Sequence, residues 1–324
     1  MPSRSIIDRL AAGEVLLMDG ATGDELRNRG ADMSQGRETD QPGPQDDHDY
    51  LSAAPDPARM REIHEEFLRR LGPWSAPVNI DAPEIVREVH EEYLRLGADI
   101  IISNTFWTSA PPLERLGLSD EWERYTRAAG ELAIAARDAG NPEAYVAGGI
   151  EPPPHGDLRH EFEQQARVLA DVGVDLMLPE YVGAIDEAVV AVEACATAGL
   201  PVFLGLREIS STGTMQYLES LEDLVRALED LPVDAILLMC SNPAHVSIGL
   251  PKLREVFSGP IGAYTHNPTG QDAGADECAR FADYGREWIE MGAQIIGGCC
   301  GTGPEHIEAL APVVKGHRQP VGDG

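Results

Sequence analysis

Eight short apolar runs are the feature of this sequence that most restricts its fold. Amphipathic segments with a helical period, such as 83–97 and 220–232, separate them. The runs are almost continuously apolar rather than alternating, which is typical of strands buried on both faces of a parallel sheet. They span residues 15–20, 98–105, 145–152, 174–180, 201–206, 234–240, 260–266 and 293–300.

Eight strand–helix repeats predict a closed (β/α)₈ TIM barrel with right-handed crossovers, formed by residues 1–324 as a single domain. Several helical segments are followed by a glycine shortly before the next strand, the expected helix stop: Gly97, Gly173, Gly199 and Gly292. The alternative is an open, doubly wound sheet. That fold would carry a G-x-G-x-x-G turn after its first strand, whereas this chain reads DGATGDELRNRG.

Residues 31–72 interrupt the repeat between strands one and two as an acidic, Pro/Gly-rich insertion, which predicts a lid or a disordered loop. Within it, REIHEEFLRRLG (61–72) repeats REVHEEYLRLG (87–97), so one additional helix is expected. His64 and His90 lack the second histidine of a zinc-binding helix, and both are interpreted as surface residues. Residues 315–324 form a short tail.

The composition excludes several classes of partner. A net charge of −30 argues against binding to nucleic acid or to anionic membranes. No apolar run reaches the roughly 18 residues of a membrane span, and no secretory signal is visible, so a cytoplasmic location is expected. An odd count of five cysteines does not resemble a disulfide framework, and Cys195 and Cys278 are expected in the core.

Active sites of such barrels lie at the carboxyl ends of the strands. This rule selects one set of residues from the eight runs. They are Asp19, Gly20, Asn104, Thr105, Glu151, Glu180, Tyr181, Cys240, Tyr264, His266, Cys299 and Cys300.

Three of these residues are cysteines, from strands six and eight: Cys240, Cys299 and Cys300. Three thiolates with an open fourth position describe a catalytic zinc site, because structural zinc is usually four-coordinate and closed. Cys299 and Cys300 could instead be packing residues. The Gly-Gly before them and the Gly-Thr-Gly after them favour a backbone that turns tightly around a metal.

Such a zinc site suits activation of a thiol, since a metal-bound thiol loses its proton at neutral pH. Asp19 and Glu180 would then offer carboxylates to a substrate ammonium group. The other interpretation of these two carboxylates is that they cap helices.

These segments resemble the homocysteine S-methyltransferase family over roughly residues 13–312. The most specific motif is GGCCGTGPEHI (297–307), and MCSNP (239–243) supplies the third cysteine. Three further segments are similar: MDGATGDEL (18–26), GADIIISNTF (97–106) and GGIEPP (148–153). GPWS (72–75) and PEYVGAIDEAVVAVE (179–193) are most similar to the betaine-dependent branch.

The resemblance implies that Cys240, Cys299 and Cys300 bind zinc and that the sulfur of homocysteine takes the open position. It implies that Asp19, Gly20, Asn104 and Glu180 contact the amino acid part of homocysteine, and Thr105 joins them as the neighbour of Asn104. Tyr181 would cap the metal in the absence of homocysteine. The reaction implied is direct displacement of a methyl group, in which the zinc-bound thiolate attacks the donor in line.

The methyl donor is expected to be an onium compound. Trp74, Phe106, Trp107 and Tyr264 are aromatic residues predicted near the rim, where they could form a cation–π cage for betaine or a sulfonium such as S-methylmethionine or S-adenosylmethionine. The alternative is that they only pack the rim. Trp107 stands where relatives often have Tyr, and the 31–72 insertion is a further departure from the family, so another donor or another thiol acceptor stays open.

Two other kinds of function compete with this one. A zinc hydrolase would use metal-bound water, but it would usually have histidine or carboxylate ligands. A non-catalytic thiol- or zinc-binding barrel would not need a donor pocket. The expected partners are homocysteine and a methyl donor, with a homo-oligomer possible.

Overall fold

The computed structural model describes residues 2–36, 56–267 and 274–317. A strand lies within seven of the eight predicted runs, and the fifth strand extends one residue beyond its run, 201–206. The strands are β1 (Leu16–Leu17), β2 (Ile100–Ile102), β3 (Tyr145–Ile150), β4 (Leu176–Pro179), β5 (Phe203–Arg207), β6 (Ala235–Met239), β7 (Ile261–Thr265) and β8 (Ala293–Gly298).

All pairings between these strands are parallel, and they form a five-stranded sheet, β1-β8-β7-β6-β5, and a three-stranded sheet, β2-β3-β4. Single parallel bridges join the two sheets on both sides: Met18 pairs with Ile100, and Met177 pairs with Val202. The eight strands therefore follow one another around a ring. The predicted barrel is confirmed, and the open-sheet alternative is wrong.

The continuous apolar runs reflect a core with two layers. Leu16, Met18 and Ile100 belong to a buried cluster inside the ring, whereas Leu17 and Ile101 belong to the cluster between the strands and the outer helices. Successive side chains of a strand point to opposite faces, and here both faces are buried. No polar alternation is therefore left in the sequence of these strands.

Helices cover the ring and connect successive strands. Gly97 and Gly173 each adopt the left-handed conformation directly after a helix, with φ of 102° and 98°, as their positions predicted. The α-helices span Ile6–Ala11, Thr22–Asn28, Pro57–Leu71, Val78–Asp81, Pro83–Leu96, Ala110–Leu113, Trp122–Gly140, Leu158–Val172, Ile185–Ala196, Leu221–Ala227, Pro243–Val256, Ala275–Glu290 and Pro304–Gly316.

The additional helix expected in the insertion is Pro57–Leu71. Asp56 caps it by accepting a hydrogen bond from the Arg59 N–H at 2.9 Å. Arg61 fixes it to the helix after β4 through a bidentate ion pair with Asp186, at 3.0 and 3.1 Å. Residues 37–55 of the insertion and 318–324 of the tail lie outside the described residues, and a role of the insertion as a lid stays a prediction.

The interpretation of His64 and His90 as surface residues is wrong, because both side chains are buried. His90 is buried on helix Pro83–Leu96 together with the core residues Val89 and Tyr93. His64 lies over the mouth of the barrel, the end at which the carboxyl ends of the strands meet. Its imidazole is 6.0 Å from the ring of Tyr181. Cys195 and Cys278 are buried as expected. Neither histidine could be placed from its own helix, because the burial comes from elements distant in sequence.

Burial of His90 should make the protein sensitive to acid. Both ring nitrogens lack a hydrogen-bond partner among the described residues, and burial lowers the pKa of His90 from 6.5 to about 4. Between these two pH values the unfolded chain binds the extra proton, so stability falls as the pH falls from 6.5 towards 4. A drop from pH 7.5 to pH 5 should cost about 2 kcal/mol of unfolding free energy at this residue.

His90→Leu should remove that part of the pH dependence and leave stability at pH 7.5 unchanged or higher, since two unbonded buried nitrogens are lost. Urea unfolding at both pH values measures the effect. His160→Gln, at an exposed histidine, is the matched control. Equal acid sensitivity in His90→Leu and the unmodified protein would contradict the assignment.

None of the helices in the described ranges is both long and apolar enough to cross a bilayer. The cytoplasmic location stays a prediction.

Candidate active site

Three thiols lie together at the carboxyl ends of β6 and β8. The Sγ atom of Cys300 is 3.7 Å from that of Cys240 and 3.8 Å from that of Cys299. All three sulfur atoms lie within 4.8 Å of one another. The structure thus brings together the three cysteines that the strand-end rule selected, although they are separated by up to 60 residues.

Backbone hydrogen bonds to β7 hold both cysteine segments. The N–H of Cys240 donates to the carbonyl of Tyr264 at 3.1 Å, and the N–H of Cys299 donates to the carbonyl of Thr265 at 2.7 Å. Cys240 has a φ of 42°, in the left-handed region that a residue with a side chain seldom adopts. Such strain is typical of functional positions, because the surrounding structure must maintain it.

The turn after Cys299 is fixed by two residues that the sequence did not single out. Asp24 accepts a hydrogen bond from the Gly301 N–H at 2.7 Å, and the hydroxyl of Thr302 donates to the carbonyl of Cys299. Gly298 leaves the space that this hydroxyl needs, since a Cβ there would lie 2.1 Å from Thr302 Oγ1. Gly-Gly before the cysteines therefore allows close packing of the turn.

The thiols also fit a metal by their chemistry. The pKa of Cys240 is raised well above its usual value by the neighbouring Cys299 and Cys300 thiols and by burial, so three thiolates need a cation to coexist. A tetrahedral zinc–thiolate centre with bonds of about 2.3 Å has sulfur–sulfur separations of about 3.8 Å. The two shorter distances in this cluster agree with that value.

Two carboxylates predicted to bind substrate are buried in the same mouth. Asp19 Oδ2 accepts a hydrogen bond from the Ile102 N–H at 2.8 Å, whereas Oδ1 has no partner among the described residues. Glu180 Oε2 accepts from the Tyr264 hydroxyl at 2.8 Å. Asp19 does not cap the following helix, whose N-cap is Ala21. Both carboxylates are therefore available for a ligand rather than used in helix capping.

Burial raises the pKa of both groups. The pKa of Glu180 rises to about 7, because burial and the Cys300 thiol outweigh the hydrogen bond from Tyr264. The pKa of Asp19 lies well above its usual range, through burial and the neighbouring Glu180. A cation in the mouth would restore the ionised form of both groups.

A third carboxylate, Glu151, follows β3. The sequence placed it only at a strand end. Its Oε1 accepts a hydrogen bond from the Trp107 N–H, and its Oε2 is buried without a partner in the described part of the chain. Burial and the charge of Glu180 raise the pKa of Glu151 well above its usual range.

Asn104 and Thr105 follow β2, and their side chains already make hydrogen bonds within the protein. The amide of Asn104 accepts from the Ser75 hydroxyl at 2.7 Å and donates to Asn79 Oδ1 at 2.9 Å. The Thr105 hydroxyl donates to the carbonyl of Gly149 at 2.6 Å. Both residues therefore tie loops to the mouth in this structure, and their contact with substrate stays a prediction.

Gly20 stands where only a glycine fits. A Cβ at this position would lie 2.6 Å from the carbonyl oxygen of Thr302 and 2.9 Å from the hydroxyl of Tyr93. The backbone after β1 thus passes directly against the turn that carries the cysteines.

The five aromatic candidates differ in how far their side chains are exposed. Phe106 and Tyr181 are partly exposed, and their rings meet edge to face at 5.6 Å. Trp107 and Tyr264 are buried. Trp74 is partly buried, and the guanidinium of Arg27 lies 4.8 Å from its ring. Phe106 and Tyr181 are therefore the rings most accessible to a donor, and the ring of the buried Trp107 lies 5.1 Å from that of Phe106.

Arg207 was not predicted as a site residue, because it ends an apolar strand with no motif around it. Its buried guanidinium lies 4.7 Å from the ring of Tyr181 and donates to the carbonyl of that residue. Gln216 accepts its Nε–H at 2.6 Å, and Glu187 lies at 3.7 Å. Arg207 thereby fixes Tyr181, whose φ is 58°, over the thiols.

A parallel-stranded barrel with a thiol cluster and buried carboxylates at its carboxyl face defines an α/β-barrel enzyme with a sulfur-rich centre. The family model for homocysteine S-methyltransferases matches residues 16–314. The chain belongs to the homocysteine S-methyltransferase family and is an enzyme.

Similar proteins cover nearly the whole chain. Betaine–homocysteine S-methyltransferase 1 from Bos taurus is 26% identical over 95% of this chain and 74% of its own length. The S-methylmethionine–homocysteine S-methyltransferase from Pongo abelii is 28% identical over 95% of this chain and 80% of its own. The metallated homocysteine methyltransferase MmuM from Escherichia coli superposes with a TM-score of 0.72, covering 94% of this chain and 98% of its own at 24% identity. That structural match speaks for the fold alone.

Proposed function

We propose that this enzyme transfers a methyl group from an onium donor to the thiol of homocysteine, forming methionine, with zinc held by Cys240, Cys299 and Cys300. The observation that carries the proposal is the cluster of three thiols within 4.8 Å of one another, in the same mouth as buried carboxylates. When bound, zinc would supply a positive charge that holds the acceptor thiol as a nucleophilic thiolate.

The protein's own residues orient the acceptor. Asp19 and Glu180 provide carboxylate oxygens for the α-ammonium group of homocysteine, and Tyr264 holds Glu180 in place through its hydroxyl. An amino acid anchored by its ammonium group at β1 and β4 can extend its thiol towards the cysteines of β6 and β8. Such positioning converts a bimolecular step into one within a preformed complex.

The donor is proposed to bind on the aromatic side of the mouth. Phe106 and Tyr181 offer ring surfaces to a methylated cation, which is attracted to the faces of aromatic rings. Two of the similar proteins are named for betaine and for S-methylmethionine, and both compounds are onium ions.

The remaining predictions are part of the same proposal. We propose a single barrel domain with an insertion at 31–72, and the match of one family model to residues 16–314 supports the single domain. A homo-oligomer and a cytoplasmic location stay predictions.

The test is the formation of methionine from homocysteine by the zinc-loaded protein, with betaine, S-methylmethionine, S-adenosylmethionine and dimethylsulfoniopropionate supplied separately. We expect turnover with at least one donor and release of a proton when homocysteine binds. Zinc binding without methionine from any of the four donors would contradict the proposal. In that case another thiol acceptor becomes the leading candidate.

A further inference from the structure

We propose that Glu151 recognises the donor, with its carboxylate contacting the positive centre of the onium compound. This inference rests on the proposed function, and it concerns a residue that the family resemblance does not assign. It would make the enzyme selective for a charged methyl donor over a neutral one.

The position of Glu151 directs it into the mouth. A Cβ added at Gly149 would lie 2.7 Å from Glu180 Oε1, so Gly149 faces the interior of the barrel. Glu151 is two residues further along the same chain direction, and side chains two apart in an extended segment share a face. Glu151 therefore lies on the interior face, nearer the open end than Gly149.

One carboxylate oxygen of Glu151 accepts a hydrogen bond, and the other has no partner among the described residues. The Oε1 atom accepts from the Trp107 N–H and so helps to hold the loop that carries Phe106. The Oε2 atom is buried and unbonded among the residues that the structure describes, in a side chain with 0% exposure. A buried carboxylate oxygen without a partner is costly, whereas a cation beside it would offset the cost. Loop support alone would need only one acceptor atom, as a glutamine provides.

The strand order places Glu151 on the donor side. The cysteines follow β6 and β8, which flank β7, and in a ring of eight strands β3 lies opposite β7. In an in-line displacement the leaving atom of the donor points away from the attacking thiol. The onium centre must therefore lie towards the ends of β2, β3 and β4. Phe106, Glu151 and Tyr181 follow these three strands, beside Asn104, Thr105 and Glu180.

The charge balance of the reaction predicts how Glu151 acts. A bond forms between the thiol sulfur and the methyl carbon, while the bond from that carbon to the onium atom breaks. Its electron pair stays on the onium atom, which becomes neutral, and the acceptor thiol proton goes to solvent. A carboxylate beside the onium atom therefore favours the bound donor over the transition state, so its loss should raise KM rather than lower kcat.

Glu151 is fully buried, so its contact with a donor requires side chains at this end of the barrel to move apart. Phe106 and Tyr181, whose ring centroids lie 5.6 Å apart, are partly exposed at these strand ends.

The experiment compares Glu151→Gln with the unmodified holoenzyme, using dimethylsulfoniopropionate as donor. Glutamine keeps the shape and the acceptor for the Trp107 N–H but lacks the charge. We expect KM for the sulfonium to rise about tenfold to a hundredfold, with kcat not lowered and KM for homocysteine unchanged within about twofold. The inhibition constant of the product 3-(methylthio)propionate, whose thioether sulfur carries no charge, should not change. Glu161→Gln, at another buried glutamate on the helix after β3, is the matched control.

The possible outcomes separate the two levels of proposal. Three results would each overturn the role of Glu151: an unchanged KM for the sulfonium, a rise in KM for homocysteine instead, or an equal loss of affinity for the thioether product. The proposed function would still stand in these cases, provided that methionine is formed. No turnover of any onium donor by the unmodified enzyme would overturn both. Should Glu151→Gln fail to fold, calorimetry on the unmodified enzyme decides: the sulfonium must bind at least about tenfold more tightly than the thioether.

Discussion

Cys299→Ala should lose bound zinc and at least about a thousandfold of methyl transfer activity. The remaining two thiols cannot complete a three-thiolate site, and an acceptor thiol that is not activated is only a few per cent ionised at neutral pH. Loss of the fixed position of the acceptor adds to the effect, because orientation contributes several powers of ten in such reactions. Metal content per chain and initial rate of methionine formation are the two measurements.

Cys278→Ala provides the matched control for this substitution. Cys278 is also buried, but it belongs to helix Ala275–Glu290 and lies outside the thiol cluster. This variant should retain one zinc per chain and nearly full activity. Zinc retained in Cys299→Ala, or lost equally in both variants, would contradict the assignment of the thiol cluster as the metal site.

The barrel could be predicted because its strands carry an unusually simple signal. Residues 235–240 are apolar at every position, and the structure shows the reason: Leu237 faces the inside of the ring, whereas Ile236 and Leu238 face the helices. A surface strand would have alternated. Strand ends could be converted into a site because all eight strands run in the same direction. Sequence distance is then irrelevant, which is why Cys240 and Cys300 could be placed together.

The parts that escaped prediction depend on contacts between distant segments. Arg207 looks from the sequence like the polar end of one more strand. Its partners Gln216 and Glu187 come from the following loop and from the helix after β4. The prediction for His64 was wrong for the same reason. The helix that carries it is amphipathic, and the His64 side chain is buried only because this helix packs over the mouth of the barrel. Local patterns contain no information on such docking.

The electrostatic environment of the mouth could also not be predicted from sequence motifs. Glu151 differs from an exposed glutamate only in what surrounds it, namely the Trp107 N–H, the charge of Glu180 and the absence of solvent. The sequence could place it at a strand end but could not show that one oxygen lacks a partner. Burial decides which of the strand-end carboxylates can act on a ligand.

Glu180→Gln should lower kcat/KM for homocysteine by about a hundredfold to a thousandfold while leaving zinc content unchanged. Removing one partner of a buried charge pair costs about 3–4 kcal/mol, since the ammonium of the substrate would then be buried beside a neutral amide.

Tyr264→Phe removes the 2.8 Å hydrogen bond to Glu180 but keeps the charge of that carboxylate, so the loss of kcat/KM should be nearer tenfold. Glu193→Gln, at a glutamate on the outer helix after β4, should behave as the unmodified enzyme. Steady-state kinetics with homocysteine varied at saturating donor measure all three. A Glu180→Gln enzyme with unaltered kcat/KM for homocysteine would show that the ammonium group is held elsewhere, and Asp19 alone would then be the carboxylate to test.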